Sequence, residues 1–175
     1  ATSFTALAAT KQQAREAPVT VQICSLKTET PQTITPGSYQ VVRFPYADES
    51  IDVHGMHDQV DPLGYETRDW QRSDRSGLIW PSMDGWGCLT SLIYWEAGDY
   101  DELRDRYVRD PLDLATGADS TATEHRPPSP GMQCFHKAHE MFVRVGTPIA
   151  LLVAHDAPRS TRLTLAEFKL AIHPA

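Results

Sequence analysis

From Pro18 onward the chain repeatedly alternates apolar and polar residues with a period of two, and that pattern predicts strands. The first run, VTVQICS, sets Val19, Val21 and Ile23 against Thr20, Gln22 and Cys24, the mark of a half-buried strand. A turn region rich in Pro, Gly and Thr follows, and SYQVVRF begins a second strand. CLTSLIYWE, residues 88–96, is apolar at both parities and reads as a central strand covered on both sides. The final third reads as three strands: MQCFHKAHEMFVRV, then IALLVAHD after the turn Gly146-Thr147-Pro148, then TRLTLAEFKLAIH. In the last of these, Leu163 and Leu165 share one parity, whereas Phe168, Leu170 and Ile172 share the other. A slip of one residue in a period-two pattern predicts a β-bulge near Ala166. Short strands separated by turns in this way point to an all-β sandwich.

The other stretches are less regular. From Asp52 to Ser82 the sequence is rich in Asp, Gly, His and Arg, which predicts a functional or interface loop carrying short strands. DYDELRDRYV, residues 99–108, places Leu103 and Tyr107, and Glu102 and Arg106, four apart as in a helix. Its position between strand-like segments argues instead for a strand or loop, and both readings stay open. Residues 110–130 read as loop, with Pro127, Pro128 and Pro130 excluding ladder bonds. Residues 3–16 form a short helix candidate, with Ser3 as cap and a stripe of Phe4, Leu7, Ala8 and Ala14. A helix so short needs a surface to lie on. It is expected to be an arm docking on a neighbouring subunit, a helix packed on its own domain, or a frayed tail. The expected organisation is an arm or short helix over residues 1–17 and one β-sandwich domain over 18–175.

Composition narrows the partners. A chain of 175 residues supports one domain with a proper core. The formal net charge of −7 argues against nucleic acid, whose binding relies on excess Lys and Arg. No apolar run approaches the roughly 18 residues of a membrane span, so no membrane partner is expected. The first residues lack the basic and long apolar regions of a secretory signal. Cys24, Cys88 and Cys134 are odd in number and widely spaced, which fits neither a disulfide framework nor a CxxC zinc site. Folding in a reducing cytosol is the expectation.

Candidate chemistry centres on GMQCFHKAHEMFVRVG, residues 131–146, and on two HxxH pairs, His54 with His57 and His136 with His139. On a strand, residues three apart point to opposite faces, so neither pair can chelate one ion from a single strand. A cupin-type metal enzyme, the natural catalytic rival for a β-sandwich, needs His at i and i+2 and a Glu a few residues on, and that arrangement is absent. A cross-strand meeting of His136 with His54, joined by Asp58 or Glu140, would be needed for a transition-metal site. Asp52, Asp58, Asp61, Asp110, Asp113 and Asp119 carry oxygen ligands suited to calcium, but none fits an EF-hand loop, and turn formation is the expected role. No GxSxG, GxxxxGK[ST] or GxGxxG motif occurs. No catalytic, cofactor-binding or metal-binding residue is therefore assigned, and no cofactor is expected. Trp95 belongs to the core, whereas Trp70, Trp80 and Trp86 are expected to be loop anchors or subunit contacts, with sugar stacking as the alternative. Together with Phe4 and Leu7 of the arm, these three tryptophans form the candidate interaction set.

Three segments in order, VVRFPYADESIDVHGMHD (41–58), GWGCLTSLIYWEAGD (85–99) and MFVRVGTPIALLVAHDAPRSTRLTLAEFKLAIH (141–173), make the chain similar to a known family. It resembles the C1q-like jelly-roll domains of bacteriophage virion proteins over roughly residues 39–173. The resemblance implies an all-β jelly-roll sandwich of the C1q/TNF type that associates as a homotrimer. It implies a non-enzymatic virion protein that decorates or cements a capsid, with the major capsid protein or another virion protein as partner. A tail- or fibre-borne adhesion module is the alternative it leaves open.

Overall fold

The computed structural model describes residues 20–47, 51–115, 117–128 and 130–175. The predicted arm over residues 1–17, including Phe4 and Leu7, lies outside the described residues.

Among the described residues ten strands form two antiparallel sheets packed face to face. The strands are β1 (Gln22–Thr28), β2 (Gln32–Ile34), β3 (Gln40–Val41), β4 (Ile51–Asp52), β5 (Gly85–Trp95), β6 (Leu103–Arg109), β7 (Asp119–Arg126), β8 (Gln133–Val143), β9 (Ile149–His155) and β10 (Thr161–Pro174). One sheet has the order β4-β1-β10-β5-β8, with β2 also paired to β10. The other has the order β3-β9-β6-β7. Between them lies a core that includes Leu26, Phe44, Leu89, Ile93, Trp95, Tyr107, Phe168 and Leu170. Phe168 sits at its centre, stacked on Tyr107 at 5.7 Å and tilted against Phe44 at 6.5 Å.

The strand pattern differs from the sequence reading in four places. The segment left open between helix and strand is β6, because Leu103, Asp105 and Tyr107 alternate inward while β7 and β9 flank the backbone on both sides. Residues 119–126, expected as loop, form edge strand β7, whose backbone pairing with β6 needs no apolar pattern. In β1 the buried face is Cys24, Leu26 and Thr28, not the Val21 and Ile23 side, because Leu26 registers with the inward Phe168. The strand covered on both sides is β9, buried at every residue, whereas β5 is buried on alternate residues only. The bulge in β10 falls between Leu163 and Leu165, close to its expected position, and turns Leu165 outward.

A second apolar cluster explains β9. Val41, Leu78, Trp80, Val108, Ala150 and Leu152 pack on the outer side of the four-stranded sheet. The irregular segment after β4 carries this cover, and its own polar groups pin it. The Asp52 carboxylate accepts from the backbone N–H of Met56 and His57 at 2.9 and 2.8 Å. Asp61 accepts from Leu63 and Tyr65 N–H and pairs with Arg75. Two short 3-10 helices, Trp70–Arg72 and Asp74–Gly77, then lead the chain to Ile79, which exchanges backbone hydrogen bonds with Ile149 at 2.9 Å. Gly77 is required here, since a Cβ would stand 2.3 Å from the Val42 carbonyl oxygen.

At one end of the sandwich Asp156 holds the loop before β6, accepting from Asp101 and Glu102 N–H at 3.0 and 2.9 Å. Burial pushes its carboxyl pKa up, but these N–H donors and Arg104 outweigh that and hold it below the usual Asp value. A carboxylate depressed in the folded state contributes stability above its unfolded pKa and loses it as pH falls through the folded pKa. Denaturant unfolding followed from neutral to acid pH is therefore expected to show stability falling through the carboxylate range. Asp156→Asn should flatten that fall, and an unchanged slope in the variant would refute the assignment.

Candidate assembly surface

The two sheets treat their outer faces differently. The four-stranded sheet is covered by the chain itself, as described above. On the six-stranded sheet, among the described residues, no such cover lies over the outer face of β5, where Cys88, Thr90, Leu92 and Tyr94 are half-buried. This face carries apolar side chains in register. Trp86 on β5 lies opposite Phe142 on β8 and His173 on β10. Cys88 lies opposite Ala171, which in turn lies opposite Ile23 on β1. Trp86 and Phe142 are 47% and 38% exposed, and Ile23 and the preceding Val21 are 39% and 40% exposed, so the apolar end of the face spans four strands.

Local sequence accounts for this placement. In the triplet Gly85-Trp86-Gly87 both glycines face inward, and a Cβ on Gly87 would come within 2.6 Å of Val143. Close packing inside therefore aims the indole outward. Glu140 on β8 holds it there, accepting from the Trp86 indole N–H at 3.1 Å and from the Cys88 thiol at 3.7 Å. Burial first, then the Glu140 carboxylate, pushes the Cys88 thiol pKa up, so the thiol stays protonated and donates. Farther along the face Lys169 pairs with Glu167 at 2.8 Å. The surface thus has an apolar end and a charged middle.

The sequence-predicted interaction residues are placed apart. Trp86 lies on this face. Trp80 is 5% exposed and anchors the loop over the four-stranded sheet. Trp70 is half-buried in the first 3-10 helix, where its carbonyl accepts from the Ser76 hydroxyl at 2.7 Å. Sequence reasoning missed Phe142, Ile23 and Val21 as surface residues. The available signal was apolar character at both parities of QICSL and EMFV, which one buried face cannot absorb.

The histidines do not converge. His136 is exposed on the outer face of β8, whereas His139 points inward to the Thr121 hydroxyl at 3.1 Å, opposite faces as their spacing predicts. His57 is buried, stacked on Tyr46 at 4.5 Å, with its Nε2 2.7 Å from the Ser76 carbonyl. Among the described residues no group of three or more His, Cys, Asp or Glu side chains is placed to hold a metal ion. Asp110, like Asp52 and Asp61, serves a turn, accepting from Leu114, Ala115 and Gly117 N–H at 2.7, 2.7 and 3.0 Å.

No protein-family model matches the chain, and no curated protein does so by sequence. Solved structures do match its fold. The globular domain of zebrafish complement 1qA protein aligns with a TM-score of 0.55 and 13% identity, covering 85% of this chain and 94% of that one. Eiger TNF from S. frugiperda aligns with a TM-score of 0.54 and 12% identity, covering 89% and 94%. Murine APRIL at pH 5.0 aligns with a TM-score of 0.52 and 11% identity, covering 88% and 100%. The fold is therefore a jelly-roll β-sandwich of the C1q/TNF type.

Proposed function

We propose that the chain is a non-enzymatic structural module that assembles as a homotrimer through the outer face of its six-stranded sheet. In this reading it decorates or cements a virus particle, with the major capsid protein or another virion protein as partner. One observation carries self-association: β5 is apolar on both faces, yet among the described residues only one is covered. The second copy is the occupant of choice because the face carries both an apolar end, Trp86 with Phe142, and charges of both signs, Lys169 with Glu167. A surface of that composition can complement itself. The threefold symmetry and the particle rest on the likeness of the three sequence segments to phage virion domains. The arm over residues 1–17 then reaches the particle or a neighbouring subunit, because a helix of that length needs a surface.

Light scattering on the purified protein is expected to give three times the chain mass. Trp86→Glu combined with Phe142→Glu should give a folded monomer, since two charges would be buried without partners. A wild-type monomer at micromolar concentration overturns the self-association. Deleting residues 1–16 should leave the trimer intact and abolish co-sedimentation with particles, and undiminished co-sedimentation overturns the role of the arm.

A second reading keeps the fold on a tail or fibre as a host-adhesion module. It is favoured by Val53, Val60, Leu63 and Tyr65, all more than half exposed on the irregular segment, where a receptor could cover them. Few copies per particle and binding to host cells would select it over decoration.

A further inference from the structure

At the centre of the sandwich, away from the assembly surface, a lysine and an aspartate face each other across the two sheets. Asp105 points inward from β6 and Lys137 points inward from β8, with side chains 3% and 2% exposed. The Lys137 ammonium donates to the Asp105 carboxylate Oδ1 and to the Asp105 backbone carbonyl, the latter at 3.1 Å. Tyr107 fixes the pair from the side. Its ring lies 5.3 Å from Nζ, its hydroxyl donates to the Lys137 carbonyl at 3.2 Å, and the same hydroxyl meets Ser91 Oγ at 2.9 Å. On the far side of the carboxylate stands Arg126, whose Nε is 3.6 Å from Asp105 Oδ2. That Nε is buried and makes no hydrogen bond among the described residues, although the guanidinium is held by Glu124 and lies over the Phe135 ring at 4.8 Å.

We propose that Lys137 and Asp105 condense into an isopeptide bond that ties β8 of one sheet to β6 of the other. The step is a dehydration and needs no oxidant, reductant or co-reactant. A proton passes from Nζ to Oδ1 along the existing hydrogen bond, giving a neutral amine and a neutral acid. The Nζ lone pair then attacks Cγ, the carbonyl electron pair moves to Oδ2, and an oxyanion develops there. The idle Arg126 Nε faces that oxygen, so its hydrogen bond is gained as the charge develops. Collapse breaks the Cγ–Oδ1 bond, and Oδ1 leaves as water with a second proton from the nitrogen. Lys–NH3+ and Asp–COO− thus become one amide and one water.

Two features drive the condensation. The reacting groups are held in contact by opposite sheets, and fixed geometry of this kind reaches effective concentrations of about 10⁵ M or more. The second is burial: the Lys137 and Asp105 side chains are 2% and 3% exposed, so little water reaches the amide once it has formed.

The test is the intact mass of the wild-type protein under denaturing conditions, which is expected to fall short of the sequence mass by one water, about 18 Da. Tryptic digestion should lose cleavage after Lys137 and yield the peptide carrying Lys137 joined to the one carrying Asp105. Lys137→Met and Asp105→Ala should each restore the full mass. Arg126→Gln should slow formation of the bond in freshly synthesised chains by roughly 10²-fold, the usual cost of losing one oxyanion donor, read as the fraction of chains that still have the full mass at a given time after synthesis. Wild-type protein at the full sequence mass, with Lys137 cleaved normally, overturns the proposal whatever the variants do.

Discussion

Phe168→Ala is expected to cost about 3–5 kcal/mol of folding stability, the usual range for truncating a buried aromatic. Phe168 is fully buried and joins both sheets, stacking on Tyr107 of β6 and leaning on Phe44 beside β3. Its removal opens a cavity bounded by strands whose backbones are fixed by ladders on each side, so collapse around it is limited. For a domain of this size, each kcal/mol corresponds to roughly 2–4 °C in Tm, so the melting temperature should fall by about 10 °C. Leu165→Ala is the control. It lies on the same strand, three residues away, but the bulge has turned it to the half-exposed outer face. Its truncation should cost about 1 kcal/mol or less in the isolated chain. Equal losses at the two positions would mean that the bulge is misplaced.

That contrast also explains what the sequence could reveal. The slip was legible because Leu163 and the run Phe168, Leu170, Ile172 are apolar at opposite parities, so the parity change has to be absorbed by an extra residue, which the structure places between Leu163 and Leu165. Edge strand β7 was not legible, because DSTATEHR contains no apolar alternation and is held by backbone pairing, by its own Arg126 reaching Asp105 and by Thr121 meeting His139 of β8. β1 was read with the wrong face inward since Val21 and Ile23 are stronger apolar residues than Cys24. Only the register with Phe168 and Leu170 decides which side meets the core. The assembly surface was half legible. Trp86 stood out by residue type, whereas Ile23 was read on the buried side of its strand and Phe142 carried no assignment until the sheet order put them beside it. The Lys137–Asp105 pair was invisible, because the partners are 32 residues apart and join opposite sheets.

Lys137→Met is expected to be at least as damaging as Phe168→Ala. Met approximates the lysine stem in volume, so packing is largely kept while the charge is removed. Asp105 is then left 3% exposed with Arg126 at 3.6 Å as its remaining cation. Removing one partner of a buried ion pair costs about 3–5 kcal/mol because the other charge stays desolvated. Chemical denaturation should detect this as a lower midpoint with an unchanged slope. The double variant Lys137→Met with Asp105→Leu separates two contributions. It removes the stranded carboxylate, and replacing a buried pair by apolar residues is often neutral or stabilising. It also removes any covalent tie between β6 and β8, whose loss restores conformational freedom to the unfolded chain. Full recovery of stability in the double variant would mean that a non-covalent pair contributes little net stability. A shortfall that matches loss of the mass deficit would measure the contribution of the tie itself.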